Sequence, residues 1–176
     1  MKNMVKPSRA TGAKKSPASP IILPVLASLT EAEKKSRLLQ WVKIRHFVPS
    51  EFDSPDQPGS GLLMNIEFIT VVDNIRHDCG FAFIIKAPSG SAYRTVEHNK
   101  KVGGKANGAH PKAVAVDTSC MDSEKRFKIV EMAMKHGIRR IGIGDNFVHL
   151  DMDYSLPQGV MWLYPAKATP NSQKET

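Results

Sequence analysis

Two histidines and one aspartate have the types and surroundings of zinc ligands. His110 and Asp117 lie seven positions apart, with an apolar run between them that suits a strand, and His149 alternates with apolar residues in another predicted strand. Two imidazoles and one carboxylate are a ligand set of catalytic zinc, which keeps a fourth position open for water. Zinc lowers the pKa of that water to about 7. The sequence therefore predicts hydrolytic zinc chemistry at these three residues.

Each of these residues also fits a role without a metal. His110 could be a surface histidine, Asp117 could cap a helix, and His149 could be a hydrogen-bonded core residue. A carboxylate at the end of a buried strand needs a cation or strong hydrogen bonds, however, because an unpaired buried charge is costly. Cys79 and Cys120 are the two cysteines, and their spacing is not typical of a thiolate zinc site. Any metal site must therefore use histidine and carboxylate.

Helices and short strands must position these side chains. The pair Thr30 and Glu33 has capping-box spacing and predicts a helix over residues 30–41, which Leu38, Leu39 and Trp41 would dock. Apolar residues spaced by three and four over residues 62–75 predict a second helix, which ends at a glycine, residue 80.

A third helix is predicted between the cap Asp122 and the stop Gly137. Short apolar runs predict strands over residues 81–85, 113–116, 141–143, 147–152 and 160–164. The last strands are joined by short connections, which favour antiparallel pairing. We therefore expect an α+β domain with a small, mainly antiparallel sheet flanked by helices.

The chain divides into a folded part and two tails. We predict a flexible basic arm over residues 1–20, an N-terminal helical lead-in over 21–42, the zinc domain over 43–164 and a flexible tail over 165–176. The arm contributes to the net charge of +8 and contains no acidic residue, so it could contact a polyanion or a virion, or simply aid solubility. The apolar run over residues 21–27 is short and contains Pro24, so it is no convincing signal peptide. No segment has the length of a transmembrane span.

Four ordered motifs resemble those of the zinc D-Ala-D-Ala carboxypeptidase family, which shares a fold with the hedgehog zinc domain. The family motif Ser-x-His-x-x-Gly-x-Ala-x-Asp is similar to residues 108–117, and its Phe-Val-His-x-Asp pattern to residues 147–151. Residues 91–99 resemble its Ser-Gly-Tyr-Arg segment with the following His-Asn. Residues 47–56 resemble the entry segment of a subgroup common in bacteria and phages. The resemblance implies a hedgehog/D,D-peptidase-like fold and Zn²⁺ bound by His110, Asp117 and His149.

The resemblance also implies roles at the substrate. An arginine at the place of Arg94 engages the substrate carboxylate or the scissile carbonyl, and Tyr93 lies beside it as a substrate-binding residue; alternatively, Arg94 braces its loop. Relatives carry the general base at positions that here hold Asn146 and Phe147, and neither can take a proton. Asp151 points the same way as His149 on a strand. It could act as the base, orient the histidine or only bind a neighbouring loop.

Three small residues depart from the family motifs. Gly108 replaces a serine, and Ala113 and Ala92 each replace a glycine. A methyl group is strained wherever the glycine was needed for positive φ. These departures raise the question of altered activity.

Two principal functions follow from the resemblance. The first is a zinc peptidase that cleaves peptidoglycan peptides at the bacterial cell wall, either exported or phage-associated. The second is a catalytically impaired zinc-binding protein with a structural or cell-wall-binding role, such as a virion component. Nucleic-acid or membrane binding through the basic arm ranks third, because the folded part carries no recognised nucleic-acid motif.

Overall fold

The computed structural model describes residues 28–82, 84–85 and 92–165. These residues form four helices and a four-stranded sheet, which confirms the α+β class. The predicted arm over residues 1–20, the run over 21–27 and nearly all of the tail lie outside the described residues. No helix in the described part is both long and apolar enough to cross a bilayer. The elements are α1 (Glu31–Trp41), α2 (Ile66–Cys79), α3 (Val96–Lys101), β1 (Ala115–Ser119), α4 (Ser123–Lys135), β2 (Arg140–Ile143), β3 (Phe147–Asp151) and β4 (Val160–Leu163), with 3-10 helices at Pro49–Phe52 and Ser60–Leu63.

Helix α1 begins at the predicted capping box. The backbone N–H of Glu33 donates to Thr30 Oγ1 over 3.2 Å, and the N–H of Thr30 donates to the Glu33 carboxylate over 2.7 Å. Trp41 is buried, but the prediction that Leu38 and Leu39 dock the helix is wrong, since they are 49% and 63% exposed. Leu39 lies about 200° around the helix from Trp41, so it faces the opposite side.

Helix α2 starts later than its apolar pattern predicts. Asn65 caps the helix by accepting from the N–H of Phe68, so Leu62 belongs to the preceding 3-10 helix. Gly80 ends α2 with φ 74°, a left-handed conformation that glycine adopts without a Cβ clash. The cap of α4 is likewise the predicted Asp122, with Gly137 following at φ 85°.

The sheet has strand order β1-β3-β2-β4 and is mixed. Strand β3 pairs antiparallel with both β1 and β2, as expected, whereas β4 pairs parallel with β2. Both edges of β3 are occupied, so β4 joins the free edge of β2. The N–H groups of Gly159 and Val160 donate to the Arg139 carbonyl. Strand β4 therefore starts beside the start of β2 and runs in the same direction.

The strand predicted over residues 81–85 is not formed by the described residues of that segment. Ile84 makes an isolated bridge to Ser119, whose N–H donates to the Ile84 carbonyl over 2.9 Å. Phe83 and the predicted loop over residues 88–91 lie outside the described residues.

The two faces of the sheet carry different residues. Helices α2 and α4 pack together, and α4 packs on β3. Val116, Leu150 and Ile141 lie in register across β1, β3 and β2 and are buried in the core. One residue further along, alternation turns the side chains to the opposite face. That face carries the chemistry-bearing residues.

Candidate metal centre

Asp117 and His149 are direct partners across the β1–β3 ladder. Asp117 lies in the middle of β1, not at the end of a strand as predicted, because β1 begins at Ala115 and continues past Asp117 to Ser119. Both side chains lie on the sheet face opposite the core row. Register alone therefore brings together two of the three predicted ligands, which are 32 residues apart in sequence.

His110 reaches this pair from a tight turn that precedes β1. The N–H of Ala113 donates to the His110 carbonyl over 2.9 Å, and the N–H of Val114 donates to that of Ala109 over 3.2 Å. Ala113 has φ 58°, the one positive φ of a non-glycine among the described residues. The strain expected from replacing the motif glycine is thus present, on the order of 1–2 kcal/mol. The left-handed residue also explains why the strand begins after it.

The three predicted ligands converge on one point. Asp117 Oδ1 lies 2.8 Å from His149 Nδ1 and 3.3 Å from His110 Nε2. One ligand atom from each residue lies within 4.8 Å of the others, and all three residues are buried. A single ion could therefore contact all three.

The outer nitrogen of each imidazole is held by a buried acceptor. His110 Nδ1 lies 2.6 Å from the Ala92 carbonyl, and His149 Nε2 lies 3.0 Å from Asp151 Oδ2. Since a carbonyl or carboxylate oxygen only accepts, each outer nitrogen carries the proton. The inner nitrogens face Asp117 Oδ1, where a bound metal would take the place of any proton they carry, as in metal sites whose histidines are oriented from behind.

The ionisation of the three residues follows from burial and from one another. Burial lowers the pKa of His110, and Arg94 and His149 add to this, so the pKa stays below its usual range although Asp117 raises it. Burial raises the pKa of Asp117, but His110 and His149 together hold it well below its usual range. Burial lowers the pKa of His149 too, yet its hydrogen bonds with Asp117 and Asp151 raise it to about 9. The carboxylate stays ionised, and this donor set of two imidazoles and one carboxylate fits zinc.

Comparison with known proteins supports this chemistry. Residues 45–151, more than half of the chain, match the family model of peptidase M15. The chain belongs to the peptidase M15 family. No curated protein and no solved structure matches the chain significantly. The match confirms the family predicted from the motifs, and it ends at Asp151, the last residue of β3 in this M15 chain.

Arg94 contacts the candidate metal cluster of this M15 chain through Asp117. One of its terminal nitrogens forms an ion pair with Asp117 Oδ2, and the other lies 3.4 Å from the Asn99 side-chain oxygen. The arginine side chain is 12% exposed. Its segment is fixed because the N–H of Thr95 donates to Ser54 Oγ over 3.1 Å. Arg94 thus contacts the oxygen of Asp117 that faces away from the two histidines.

Tyr93 lies in the hydrophobic core, unlike its neighbour Arg94. Its ring belongs to the hydrophobic core, and its backbone N–H donates to the Phe52 carbonyl over 3.2 Å. Burial raises the pKa of its phenol. The structure therefore brings together Arg94 and the three ligands, while Tyr93 supports the segment from the core side.

Asp151 lies behind His149, not beside the point where the ligands converge. Its Oδ1 accepts from Arg140 Nε over 2.9 Å and from the N–H of Asp153 over 2.9 Å. Its Oδ2 contacts His149 Nε2, the nitrogen on the outer side of the ring. In the described part of the chain, Asp117 and Asp151 are the carboxylates that contact the two histidines.

Asn146 and Phe147 stand at the two positions where relatives carry the general base. Asn146 is exposed, and its carbonyl accepts from the N–H of Cys120. Phe147 packs against Tyr164, with ring centroids 5.0 Å apart. Neither side chain offers a base.

Three residues of the site were not singled out by sequence reasoning. The Trp162 and Tyr164 rings lie 5.4 and 6.2 Å from the His149 ring, and Arg140 bonds Asp151. The available signal was the spacing of two between Trp162 and Tyr164 on a predicted strand, which puts both on one face. That spacing does not say which strand is their neighbour.

Proposed function

We propose that this protein is a zinc-dependent peptidase that cleaves D-amino-acid peptides of bacterial peptidoglycan, as a carboxypeptidase or an endopeptidase. The observation that carries the proposal is the arrangement of the two imidazoles, whose inner nitrogens converge with Asp117 while Ala92 and Asp151 hold their outer nitrogens. Membership of the M15 family supports the peptide substrate class. The resemblance of the four motifs supports the choice of peptidoglycan.

A bound zinc ion would activate water and polarise the peptide carbonyl. His110, Asp117 and His149 would hold it through Nε2, Oδ1 and Nδ1. Arg94 would then engage the substrate carboxylate or steady the carbonyl oxygen, because its guanidinium lies against the outer oxygen of a metal ligand.

Asp151 has the contacts of an orienting residue. Both of its oxygens accept hydrogen bonds, and the His149 ring lies between its carboxylate and the proposed metal position. We therefore assign it the task of fixing the ring orientation and tautomer of His149. Such carboxylate–histidine–zinc arrangements raise the basicity of the ligand.

The first test is metal content followed by digestion of peptidoglycan. The purified full chain should bind one zinc ion, and His110→Ala should lose it. His77→Ala is the matched control, since His77 is an exposed histidine of α2. Zinc-loaded protein should release new amino ends or free D-alanine from purified sacculi, and His149→Ala should not. The peptidase proposal fails if zinc-loaded protein releases neither product.

A second candidate is a zinc-binding protein without turnover. Two observations favour this candidate. Asn146 and Phe147 stand at the positions where relatives carry the general base, and the Asp151 carboxylate already accepts hydrogen bonds within the protein. This alternative predicts stoichiometric zinc and binding to sacculi without released products. A phage-associated role, as a lysis protein or a virion component, rests on the resemblance of residues 47–56 and is tested by looking for the protein in purified virions.

A further inference from the structure

A row of four residues crosses the whole sheet on the face that carries Asp117 and His149. Asp117 pairs with His149, His149 with Gly142, and Gly142 with Trp162. The two edge strands therefore contribute the ends of the row. At one end Asp117 contacts Arg94, and at the other end Trp162 approaches His149 to 5.4 Å between ring centroids.

Gly142 is what allows the tryptophan to reach the histidine. A Cβ at this position would lie 2.6 Å from Tyr164 Cε2 and 2.7 Å from Trp162 Cε2, closer than real Cβ atoms come. Both rings thus lie directly over a strand residue without a side chain. Trp162 and Tyr164 are half-buried, and their centroids are 6.1 Å apart. We call these two rings the aromatic wall.

The aromatic wall carries no charge of its own. An indole has no ionisable proton in this range, and a phenol is a neutral hydrogen-bonding group near neutral pH. Arg140 lies 5.3 Å from the Trp162 ring, but its Nε is bonded to Asp151. The wall therefore offers apolar ring faces, whose π-electron density disfavours a carboxylate.

We infer that Trp162 and Tyr164 form the subsite for the substrate residue on the amino side of the scissile bond, and that this subsite selects an uncharged, apolar side chain. The inference rests on the proposed peptidase function. A peptide with its carboxylate at Arg94 and its scissile carbonyl at the ligand centre crosses from the β1 edge towards β4. Its next residue then lies against the aromatic wall, whose rings cover Gly142.

The test uses two probe peptides that differ at that residue alone. N-acetyl-D-alanyl-D-alanine and N-acetyl-D-glutamyl-D-alanine are assayed with the zinc-loaded full chain, and zinc content is measured for every variant. We expect the wild type to prefer the alanine probe by about two- to tenfold in kcat/KM, the size expected when an aromatic contact is gained. Trp162→Ala should raise KM for that probe more than it lowers kcat, and should abolish the preference. Trp162→Phe should keep most of it.

The outcomes separate this subsite from the peptidase activity itself. An unchanged preference in Trp162→Ala with full zinc content overturns the subsite, and Trp162→Leu takes the place of Trp162→Ala if that variant loses zinc. If the wild type cleaves neither probe, the activity fails for these bonds, and calorimetric binding of the same probes decides the subsite. Preferential binding of the alanine probe that Trp162→Ala abolishes supports it, whereas equal affinity for both probes, or no binding, overturns it.

Discussion

Asp151 Oδ2 contacts Nε2 of His149, while Nδ1 of the same ring faces Asp117 Oδ1. The imidazole is thereby held between two carboxylates, one in the ligand cluster and one behind it. Arg140 binds the outer carboxylate through Nε at 2.9 and 3.2 Å. This arrangement separates the residues that would bind the metal from the residues that orient them.

Asp151→Asn should weaken zinc binding without abolishing it. The amide keeps the size of the side chain but removes the negative charge behind His149, so the imidazole becomes a poorer donor. Loss of such an outer partner costs about 10- to 100-fold in metal affinity. Competition with a chromophoric chelator measures the change. An affinity equal to that of the wild type would rule out the orienting role.

Arg94→Lys should reduce turnover more than it reduces zinc binding. Lysine keeps a positive charge near Asp117 but lacks the planar fork that matches a carboxylate. We expect kcat/KM on peptide substrates to fall by about 10- to 100-fold, less than the roughly 100- to 1,000-fold cost of removing one transition-state donor, because lysine keeps the charge. Steady-state kinetics with zinc-saturated enzyme provide the measurement. If zinc content falls in parallel with activity, Arg94 instead braces the site.

Ala113→Gly should change stability little, because two effects of similar size oppose each other. Glycine relieves the left-handed strain at φ 58°, while loss of a fully buried methyl group costs about 1 kcal/mol. Ala115→Gly is the matched control, since Ala115 is equally buried but lies in a strand. For Ala115→Gly we expect the free energy of unfolding to fall by about 1–2 kcal/mol, because the variant loses the buried methyl group and gains backbone freedom in the unfolded state. Urea unfolding compares the two, and equal losses would contradict the strain at Ala113.

Cys79 should react slowly with alkylating reagents in the folded protein. Burial raises the pKa of its thiol to about 11, so at pH 8 on the order of one molecule in a thousand carries the reactive thiolate. The thiolate fraction rises with pH, and reaction should accelerate about tenfold per unit between pH 8 and 10. Mass spectrometry after timed iodoacetamide treatment measures this, with urea-unfolded protein as the control. Zinc content should be unaffected, since no thiolate contributes to the proposed centre.

The three residues of the candidate metal cluster and most helix ends could be predicted from sequence, because these features depend on residues that are neighbours along the chain. A capping box at Thr30 and Glu33 forms within one turn, and a glycine after a helix adopts positive φ wherever the helix lies. The motifs that contain His110, Asp117 and His149 are likewise defined by the spacing of residues along the chain. The strained alanine at 113 could also be anticipated, since the demand for positive φ is local.

The tertiary structure decided what depends on strand register and on free sheet edges. Asp151 and His149 point the same way on β3, but only the fold shows that the carboxylate lies behind the ring and is bound by Arg140. Strand β4 pairs with β2 because β3 has no free edge, and it runs parallel because it starts beside the start of β2. This pairing places Trp162 in the row of His149. Gly142 then leaves room for the ring. Periodicity indicates which residues share a face, whereas pairing between distant segments determines which faces meet.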